Sequence, residues 1–348
     1  MTKVSDALTT LVDERRDLSE AEAYGVLDEI MSGAEVPASQ IGALLTALRM
    51  KGESIDEIVG FARVMREKAV RIVVPGVSRI VDVVGTGGDA PDTFNVSTAA
   101  AFVVAGCGVT VAKHGNRAMS SRCGSADVLE ALGIPTDLSP AEAAAAMAAE
   151  GFAFLFAPNY HPAFKHIGPA RKLCAERGQR TLFNFLGPLL NPARPTAQLI
   201  GVPRADLTEP MAQVLQSLGI ARGMVVSGRA GDQPMDELSA LGENTLSEYY
   251  QANGFSTSTL APADLSLAPA TLADLAGGDA ADNAEIIRAI LAGSDHGPKR
   301  EAVLLNAGAA LFVAGEAEAI GSGMELAAAV IDDGRAAAKL DALATRYA

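Results

Sequence analysis

A glycine-rich turn backed by polar residues is the first part of this sequence that could bind a ligand. Residues 80–84, IVDVV, form a short β-branched run that predicts a buried strand, and the turn GTGGD follows directly. Glycines allow positive φ and close approach of a ligand to the backbone. A helix that should start near Asn95 would add N–H groups and the positive end of its dipole, which favour phosphate oxygens. The turn matches neither GxxxxGKS/T nor GxGxxG, so an anion-binding turn and a purely structural turn both stay open.

Cations follow the next predicted strand, Val109 to Ala112. The segment KHGNR at residues 113–117 carries Lys113 and Arg117, and a serine-rich loop then leads to a helix near Ser125. Because ligands in open α/β sheets bind outside the carboxyl ends of the strands, these two side chains should face the same crevice as the glycine-rich turn. Two loops would then meet on one anion, and an ordinary solvated loop is the alternative.

An adjacent pair of carboxylates, Asp236 and Glu237, follows the strand predicted at Gly223 to Ser227. Magnesium prefers oxygen ligands and commonly takes one or two carboxylates together with substrate phosphates. The pair could therefore bind Mg²⁺ beside a diphosphate, whereas the plainer interpretation is a solvated acidic loop.

Basic residues cluster in FLFAPNYHPAFKHIGPARKL, which contains His161, His166 and Arg171. No serine, cysteine or aspartate stands at a spacing that identifies a nucleophilic triad, so no covalent nucleophile is predicted. A lone histidine here is more often a packed, hydrogen-bonded residue. The planar guanidinium of Arg171 can bind a carboxylate through two parallel hydrogen bonds, and a surface arginine is the alternative.

Two hydrophobic patterns distinguish the elements that must position these residues. Helical spacing of apolar residues runs from Ser5 to about Lys68. Capping-box patterns pair Ser19 with Glu22 and Ser54 with Glu57. Beyond residues 74–76, strand-like stretches, including Phe152 to Ala157 and Gln198 to Val202, alternate with helical ones, which predicts an α/β unit. We expect a helical domain over residues 1–74, joined by helices from about 162–192, and an α/β domain over 75–348.

Composition restricts the class of protein. The chain has 348 residues, 49% of them hydrophobic, so it can bury a substantial core. Its formal charge of −14 argues against a protein that coats nucleic acid or anionic lipid. Three cysteines without metal-type spacing support neither a disulfide framework nor a zinc site, and no segment resembles a signal peptide or a membrane span. We expect a cytoplasmic protein that binds neither nucleic acid nor membranes.

Taken together, the segments resemble the anthranilate phosphoribosyltransferases. GTGGD at residues 85–89, TFNVST at 93–98, KHGNR at 113–117, GSADVLEALG at 124–133 and DEL at 236–238 match that family in order and spacing. The resemblance continues through RTLFNFLGPLLNP and LAGGDAADNAEIIRAIL and so covers nearly the whole chain. It implies transfer of the 5-phosphoribosyl group from phosphoribosyl pyrophosphate to anthranilate, in tryptophan biosynthesis, with Mg²⁺ and by a homodimer. The implied fold is α/β: a small all-helical domain beside a larger domain with a mostly parallel central sheet flanked by helices.

Site residues carry over from this resemblance where the motifs match. Those implied to surround phosphoribosyl pyrophosphate are Gly85, Gly88, Asp89, Thr93, Asn95, Val96, Ser97, Thr98, Lys113, His114, Gly115, Asn116, Arg117, Ala118, Met119, Ser120, Ser121 and Ser125. Those implied to contact anthranilate are Gly85, Asn116 and Arg171, and those implied to bind magnesium are Ser97, Asp236 and Glu237. The absence of a triad agrees with the reaction, because orienting two substrates and neutralising the departing diphosphate require no covalent intermediate.

Two other functions stay open. A pyrimidine nucleoside phosphorylase of the same architecture would bind inorganic phosphate and split a nucleoside, but the acidic pair at 236–237 favours the transferase. A non-catalytic relative could bind nucleic acid through a basic groove, although the net negative charge argues against it. Magnesium dependence would test the first alternative, and salt-sensitive binding to DNA would test the second.

Overall fold

The computed structural model describes residues 2–87, 93–118, 122–250 and 254–346. Within these ranges the chain forms an N-terminal helical part and a larger part in which helices pack against a sheet. This architecture confirms the predicted fold class of a small helical domain beside an α/β domain with a mostly parallel sheet. None of the described helices is long and apolar enough to cross a membrane.

Four α-helices build the N-terminal part, and the predicted capping boxes start two of them. The helices are α1 (Lys3–Leu8), which continues as a π-helix over Thr9–Asp13, α2 (Glu20–Met31), α3 (Ala38–Lys51) and α4 (Ile55–Lys68). Ser19 caps α2 and Ser54 caps α4, each by accepting from the N–H of the glutamate three residues later. Glu57, which is 1% exposed, also accepts from the Leu18 N–H and from Lys51 Nζ. One buried carboxylate therefore joins α4 to the segments around α2 and α3.

A mixed sheet forms the centre of the larger part. Its strands are β1 (Ile80–Gly85), β2 (Thr110–Gly115), β3 (Phe152–Phe156), β4 (Ala197–Gly201), β5 (Arg222–Ala230), β6 (Gln233–Met235), β7 (Asn244–Tyr250) and β8 (Gly254–Leu260). Their order is β3-β2-β1-β4-β5-β7-β8, with β6 paired to β5. The first five strands in that order are parallel, and the remaining pairings are antiparallel. From β1 the chain goes to β2 and β3 on one side, and it then returns to β4 on the other side of β1. The strand order therefore reverses between β1 and β4, and the ligand crevice expected in such sheets lies at the carboxyl ends of these two strands.

The antiparallel edge, β7 and β8, is the part of the sheet that the hydrophobic pattern does not predict. β8 reads GFSTSTL and is largely exposed, so it lacks the apolar run that marks a buried strand. The short β6 is not predicted either, whereas β1 to β5 are found near their predicted positions, with shifted ends. β2 continues to Gly115 because Lys113 and His114, although polar, are buried within it.

Eleven further α-helices, all within the described residues, complete the chain. They are α5 (Val96–Gly106), α6 (Ser125–Ala131), α7 (Pro140–Glu150), α8 (Ala157–Tyr160), α9 (Gly168–Ala175), α10 (Phe183–Leu186), α11 (Thr208–Ser217), α12 (Ala280–Leu291), α13 (Pro298–Ala314), α14 (Ile320–Asp332) and α15 (Arg335–Arg346). Helix α5 is buried from Thr98 to Gly106, since its small and apolar side chains pack between β1, β2, α13 and α15. The starts of α5 and α6 confirm the helices predicted near Asn95 and Ser125.

The segment between β3 and β4 packs against the N-terminal helices. Ile167 and Phe183 belong to the same hydrophobic cluster as Phe61 of α4, and the rings of Phe61 and Phe183 stack with centroids 6.4 Å apart. At the end of the segment, the buried amide of Asn191 donates to Oδ2 of Asp82 on β1 at 2.9 Å. Apolar packing thus attaches the segment to the helices, and a buried polar contact attaches it to the sheet.

Substituting each of two glycines would test how closely the N-terminal helices pack. A Cβ on Gly60 of α4 would lie 2.5 Å from the Glu20 carbonyl oxygen and 2.8 Å from Cβ of Ala23, whereas Gly42 of α3 has no such neighbour within 4 Å. We expect Gly60→Ala to lower the free energy of unfolding by about 1–3 kcal/mol through overpacking. Gly42→Ala should raise it by about 0.5–1 kcal/mol through helix propensity. Urea titrations would measure both, and equal effects would contradict the close packing of α2 on α4.

Candidate active site

Two glycines allow the acidic loop to lie directly on the carboxyl edge of the sheet. Gly85 ends β1, Gly201 ends β4, and the two are partners in the parallel register. A Cβ on Gly85 would overlap the Asp236 carboxylate, and a Cβ on Gly201 would overlap the Asp236 carbonyl group. The absence of a side chain at both strand ends therefore lets Asp236 sit over the crevice between β1 and β4.

The acidic pair contacts the glycine-rich segment at two points. Oδ2 of Asp236 accepts from the Gly87 N–H at 2.5 Å, and Oε1 of Glu237 accepts from the Thr93 hydroxyl at 3.4 Å. Behind the pair, the amide of Asn306 bonds both the N–H and the carbonyl of residue 238, at 3.1 and 2.9 Å. The β5–β6 hairpin leads into this loop, so the segment GRAGDQPM just before the acidic pair forms a regular turn and strand.

A buried ammonium lies close to the acidic pair. Lys113 on β2 is 1% exposed, and its Nζ donates to the Val83 carbonyl at 2.8 Å and to the Ser97 hydroxyl at 3.2 Å. Burial lowers the pKa of Lys113 to about 8, although the nearby carboxylates of Asp82 and Glu237 act in the opposite direction. The site therefore places one cation on the same edge of the sheet as the two carboxylates.

The oxygen atoms of this site fit magnesium. Burial, reinforced by the neighbouring Asp236 carboxylate, raises the pKa of Glu237 to about 8, so a cation bound between the two would relieve their repulsion. The hydroxyls of Thr93 and Ser97 add hard oxygen donors of the kind Mg²⁺ prefers. Among the residues that the structure describes, no three acidic, histidine or cysteine side chains form a closed metal site. The chain thus offers part of a coordination sphere, which substrate phosphates would complete.

The first turn of α5 can contribute its backbone to a bound anion. Asn95 is the N-cap, and Val96 and Thr98 are 1% and 0% exposed, so their side chains lie in the core. The positive end of the helix dipole favours anions by about 0.3–1 kcal/mol at an exposed site. The N–H groups of Val96 and Thr98 donate to the carbonyls of Phe94 and Asn95 at 2.7 and 3.1 Å, so the N–H of Ser97 is the first-turn group that a phosphate could reach.

An aspartate organises the loop between β2 and α6. Oδ2 of Asp127 accepts from the N–H groups of Ala118 and Gly124, both at 2.9 Å. The half-exposed Arg117 guanidinium pairs with Asp127 at 3.2 Å and with Glu130 at 2.6 Å. In this structure the α6 carboxylates therefore bind Arg117, although the sequence predicts that it faces the crevice.

Gly115, Asn116 and Ser125 close the other side of this loop. The Ser125 hydroxyl donates to the Asn116 carbonyl at 3.3 Å. A Cβ on Gly115 would overlap the Ser125 hydroxyl and lie 2.7 Å from the Phe154 ring, so glycine permits this approach. The structure thus brings three of the predicted residues together at the end of β2.

Two neutral histidines lie beneath the loop. His114 and His161 are 4% and 5% exposed, and their Nε2 atoms are 3.3 Å apart, while Nδ1 of His114 lies 3.2 Å from the Gly187 carbonyl oxygen. Burial lowers the pKa of His114 to about 3 and that of His161 to about 4. Both rings are therefore uncharged near pH 7, and His161 is the packed residue that the sequence favours.

Sequence reasoning missed a buried polar network around Asp82. Its Oδ1 accepts from the His114 N–H at 3.3 Å, and its Oδ2 accepts from Asn191 at 2.9 Å and from Gln198 at 3.3 Å. Burial raises the pKa of Asp82 to about 6 despite these bonds. A single polar residue inside each of the apolar runs IVDVV and AQLIG was the available signal.

Arg171 lies on α9, in the part that packs with the N-terminal helices. Its guanidinium carbon is 5.0 Å from the Phe164 ring centroid and 5.4 Å from that of Phe183, and burial lowers its pKa. Of the other residues predicted for anthranilate, Gly85 ends β1 and Asn116 directly follows β2. A ligand contacting all three would therefore bridge the two parts of the fold.

Five predicted ligands of the phosphate site cannot be located in this arrangement. Gly88, Asp89, Met119, Ser120 and Ser121 lie outside the described residues.

Residues 77–337 match the model of the glycosyl transferase family a/b domain, and residues 5–69 match the helical bundle domain of the same family. The anthranilate phosphoribosyltransferase of Geobacter sulfurreducens is 51% identical over 348 residues, covering 96% of this chain and 97% of the relative. That of Moorella thermoacetica is 52% identical over 327 residues, covering 94% of this chain and 93% of the relative.

Solved structures give the same result. The anthranilate phosphoribosyltransferase of Thermus thermophilus superposes with a TM-score of 0.88 at 42% identity, covering 99% of each chain. The Saccharomyces cerevisiae enzyme in complex with PRPP and Mg superposes with a TM-score of 0.87 at 25% identity, covering 99% of this chain and 97% of the other. Both the sequence identity along nearly the whole length and the shared fold show that this chain belongs to the anthranilate phosphoribosyltransferase family.

Proposed function

We propose that this chain transfers the 5-phosphoribosyl group of phosphoribosyl pyrophosphate to the amino group of anthranilate, giving N-(5-phosphoribosyl)anthranilate and diphosphate in tryptophan biosynthesis. The observation that carries the proposal is the position of Asp236 and Glu237 over the glycine-ended strands β1 and β4. There the acidic pair lies in the crevice where open α/β sheets bind their ligands, beside Lys113 and the start of α5. The names of the relatives support this reaction.

The proposed reaction suits a site that orients two substrates and neutralises the charge on the departing diphosphate. The amine attacks the anomeric carbon as the bond to diphosphate breaks, so negative charge grows on the leaving group and positive charge on the sugar. The Ser97 N–H at the start of α5 and the Lys113 ammonium would neutralise the phosphate oxygens. Magnesium, when bound, supplies further positive charge to the departing diphosphate. Asp236, Glu237 and Ser97 are the residues that would bind it.

We assign the remaining roles by motif and position. The proposed donor site comprises Gly85, Gly88, Asp89, Thr93, residues 95–98, residues 113–121 and Ser125. The proposed acceptor site comprises Gly85, Asn116 and Arg171, and its Arg171 would bind the aromatic carboxylate. The proposal includes a homodimer and a cytoplasmic location, as the family resemblance implies.

The transfer can be observed directly through anthranilate fluorescence. We expect the fluorescence to fall when the protein meets phosphoribosyl pyrophosphate and Mg²⁺, and the adduct mass to appear in mass spectrometry. Removal of Mg²⁺ by a chelator should stop the change, because the diphosphate charge is then unbalanced. If folded protein leaves anthranilate intact, the proposed reaction is wrong, and phosphorolysis of pyrimidine nucleosides becomes the next reaction to measure.

Arg171→Gln tests recognition of the anthranilate carboxylate. Glutamine retains part of the stem that packs near Phe164 and Phe183 but lacks the charge. Because a hydrogen bond to a charged group contributes about 1.5–3 kcal/mol, we expect the anthranilate KM to rise about tenfold or more. The donor KM should change far less. Lys172→Gln removes an exposed cation from the next position and is the matched control; a similar rise in both KM values for Arg171→Gln would contradict the assignment.

Neutralising the acidic pair tests the magnesium site. In Asp236→Asn with Glu237→Gln, we expect the Mg²⁺-dependent part of donor affinity to fall at least about tenfold, measured by titration calorimetry. The control variant Asp232→Asn with Glu243→Gln removes the same two charges from exposed positions nearby. Unchanged Mg²⁺ dependence in the first variant would place the metal elsewhere.

A further inference from the structure

Asn283 joins two segments of the proposed donor site, although it lies far from both in sequence. This residue of α12 is 2% exposed. Its Oδ1 accepts from the Gly278 N–H at 2.8 Å, and its Nδ2 donates to Oδ1 of Asn95 at 2.9 Å. The Nδ2 of Asn95 in turn donates to the Cys123 carbonyl at 3.2 Å. Three hydrogen bonds thus run from the start of α12 through the N-cap of α5 to the loop before α6.

The polarity of this chain of hydrogen bonds determines the orientation of both amides. Gly278 N–H can only donate, so Asn283 must present its oxygen there and its NH₂ group to Asn95. At the other end the Cys123 carbonyl can only accept, so Asn95 must present its own NH₂ group there. Inverting either amide would oppose two donors or two acceptors. Each asparagine therefore has one orientation that satisfies all its partners.

This orientation keeps Asn95 from its usual role. An asparagine at an N-cap normally accepts from an N–H of the first helical turn, but the Asn95 side chain makes no such bond to α5. Its oxygen is bound by Asn283 instead. The N–H groups of Val96 and Thr98 donate to the carbonyls of Phe94 and Asn95, so the Ser97 N–H is the first-turn group that this orientation leaves to an external anion.

The segment just before α12 also contacts the backbone beside Asn95. The Phe94 N–H donates to the Leu275 carbonyl at 3.1 Å, and Thr93 forms an antiparallel bridge with Ala276. A Cβ on Gly277 would lie 2.8 Å from Cα of Phe94. The segment before α12 therefore supports the backbone that carries both Thr93 and Asn95.

We propose that Asn283 is a positioning residue for the phosphoribosyl donor: it holds the Asn95 side chain against the loop at Cys123 and leaves the Ser97 N–H, in the first turn of α5, to the donor's phosphates. This inference rests on the proposed function, since it needs the donor to bind at α5. Asn283 itself need not touch the substrate. Asn283 also forms a hydrogen bond with the Cys123 side chain, but the effect on donor binding proposed for it passes through Asn95.

Titration calorimetry with phosphoribosyl pyrophosphate and Mg²⁺ tests the proposal on the full-length chain. Because one buried hydrogen bond contributes about 0.5–1.5 kcal/mol, Asn283→Ala should weaken donor binding about three- to tenfold. The anthranilate KM at saturating donor should stay within about twofold of wild type, since the substitution does not change the contacts proposed for anthranilate. In an Asn95→Ala background the same substitution should have no further effect on donor binding.

Two other variants separate positioning from loss of stability. Ile290→Val removes a methyl group from a fully buried side chain of the same helix. It should lower the melting temperature without weakening donor binding. Asn283→Asp keeps the size of the side chain and the oxygen that accepts from the Gly278 N–H, but it places a second oxygen against Oδ1 of Asn95. It should therefore weaken donor binding, and it provides the test if Asn283→Ala does not fold. A charge effect alone would persist when Asn95 is already alanine, whereas a positioning effect would disappear.

The outcomes distinguish this inference from the function on which it rests. If the folded Asn283 variants bind the donor as tightly as wild type does, the inference is wrong but the proposed function stands. Additive losses from Asn95→Ala and Asn283→Ala would have the same meaning. A wild-type chain that binds no donor in the presence of Mg²⁺ would overturn the proposed function, and the inference with it.

Discussion

The close approach of the Asp236 backbone to the ends of β1 and β4 is the contact on which the rest of the site depends. A side chain at Gly85 or Gly201 would occupy the space of the acidic loop. With glycine at both positions, the loop reaches Gly87 on one side and Thr93 on the other through its carboxylates. The parallel sheet supplies a rigid edge, and the loop supplies the negative charge placed on it.

Burial determines the electrostatics of that edge. Lys113 is enclosed within the sheet, and its ammonium is satisfied by a backbone carbonyl and a hydroxyl rather than by a directly bonded carboxylate. Burial, reinforced by the neighbouring Asp236 carboxylate, also raises the pKa of Glu237. Packing holds both groups in fixed positions, and fixed charges need little reorganisation when charge develops on a bound ligand.

The sequence predicts those features whose cause is local. Apolar β-branched runs locate β1 and β4, and serine–glutamate spacing locates the starts of α2 and α4. It does not predict β8, because an exposed polar strand has no hydrophobic pattern. Nor does it predict that Glu130 binds the Arg117 guanidinium, which depends on the path of the loop before α6. The polar network around Asp82 is also not predicted, since it joins segments that are distant in sequence. The roles of individual site residues and the division at residues 74 and 75 stay predictions.

The incomplete oxygen shell around Asp236 and Glu237 has a thermodynamic consequence. Two ligands that complete each other's coordination must raise each other's affinity by the same factor. For the proposed site, the concentration of free Mg²⁺ would therefore set how much of the chain carries the phosphoribosyl donor, and the donor would recruit the metal in equal measure. A closed metal centre would show no such coupling, because its ion would stay bound whether or not substrate was present.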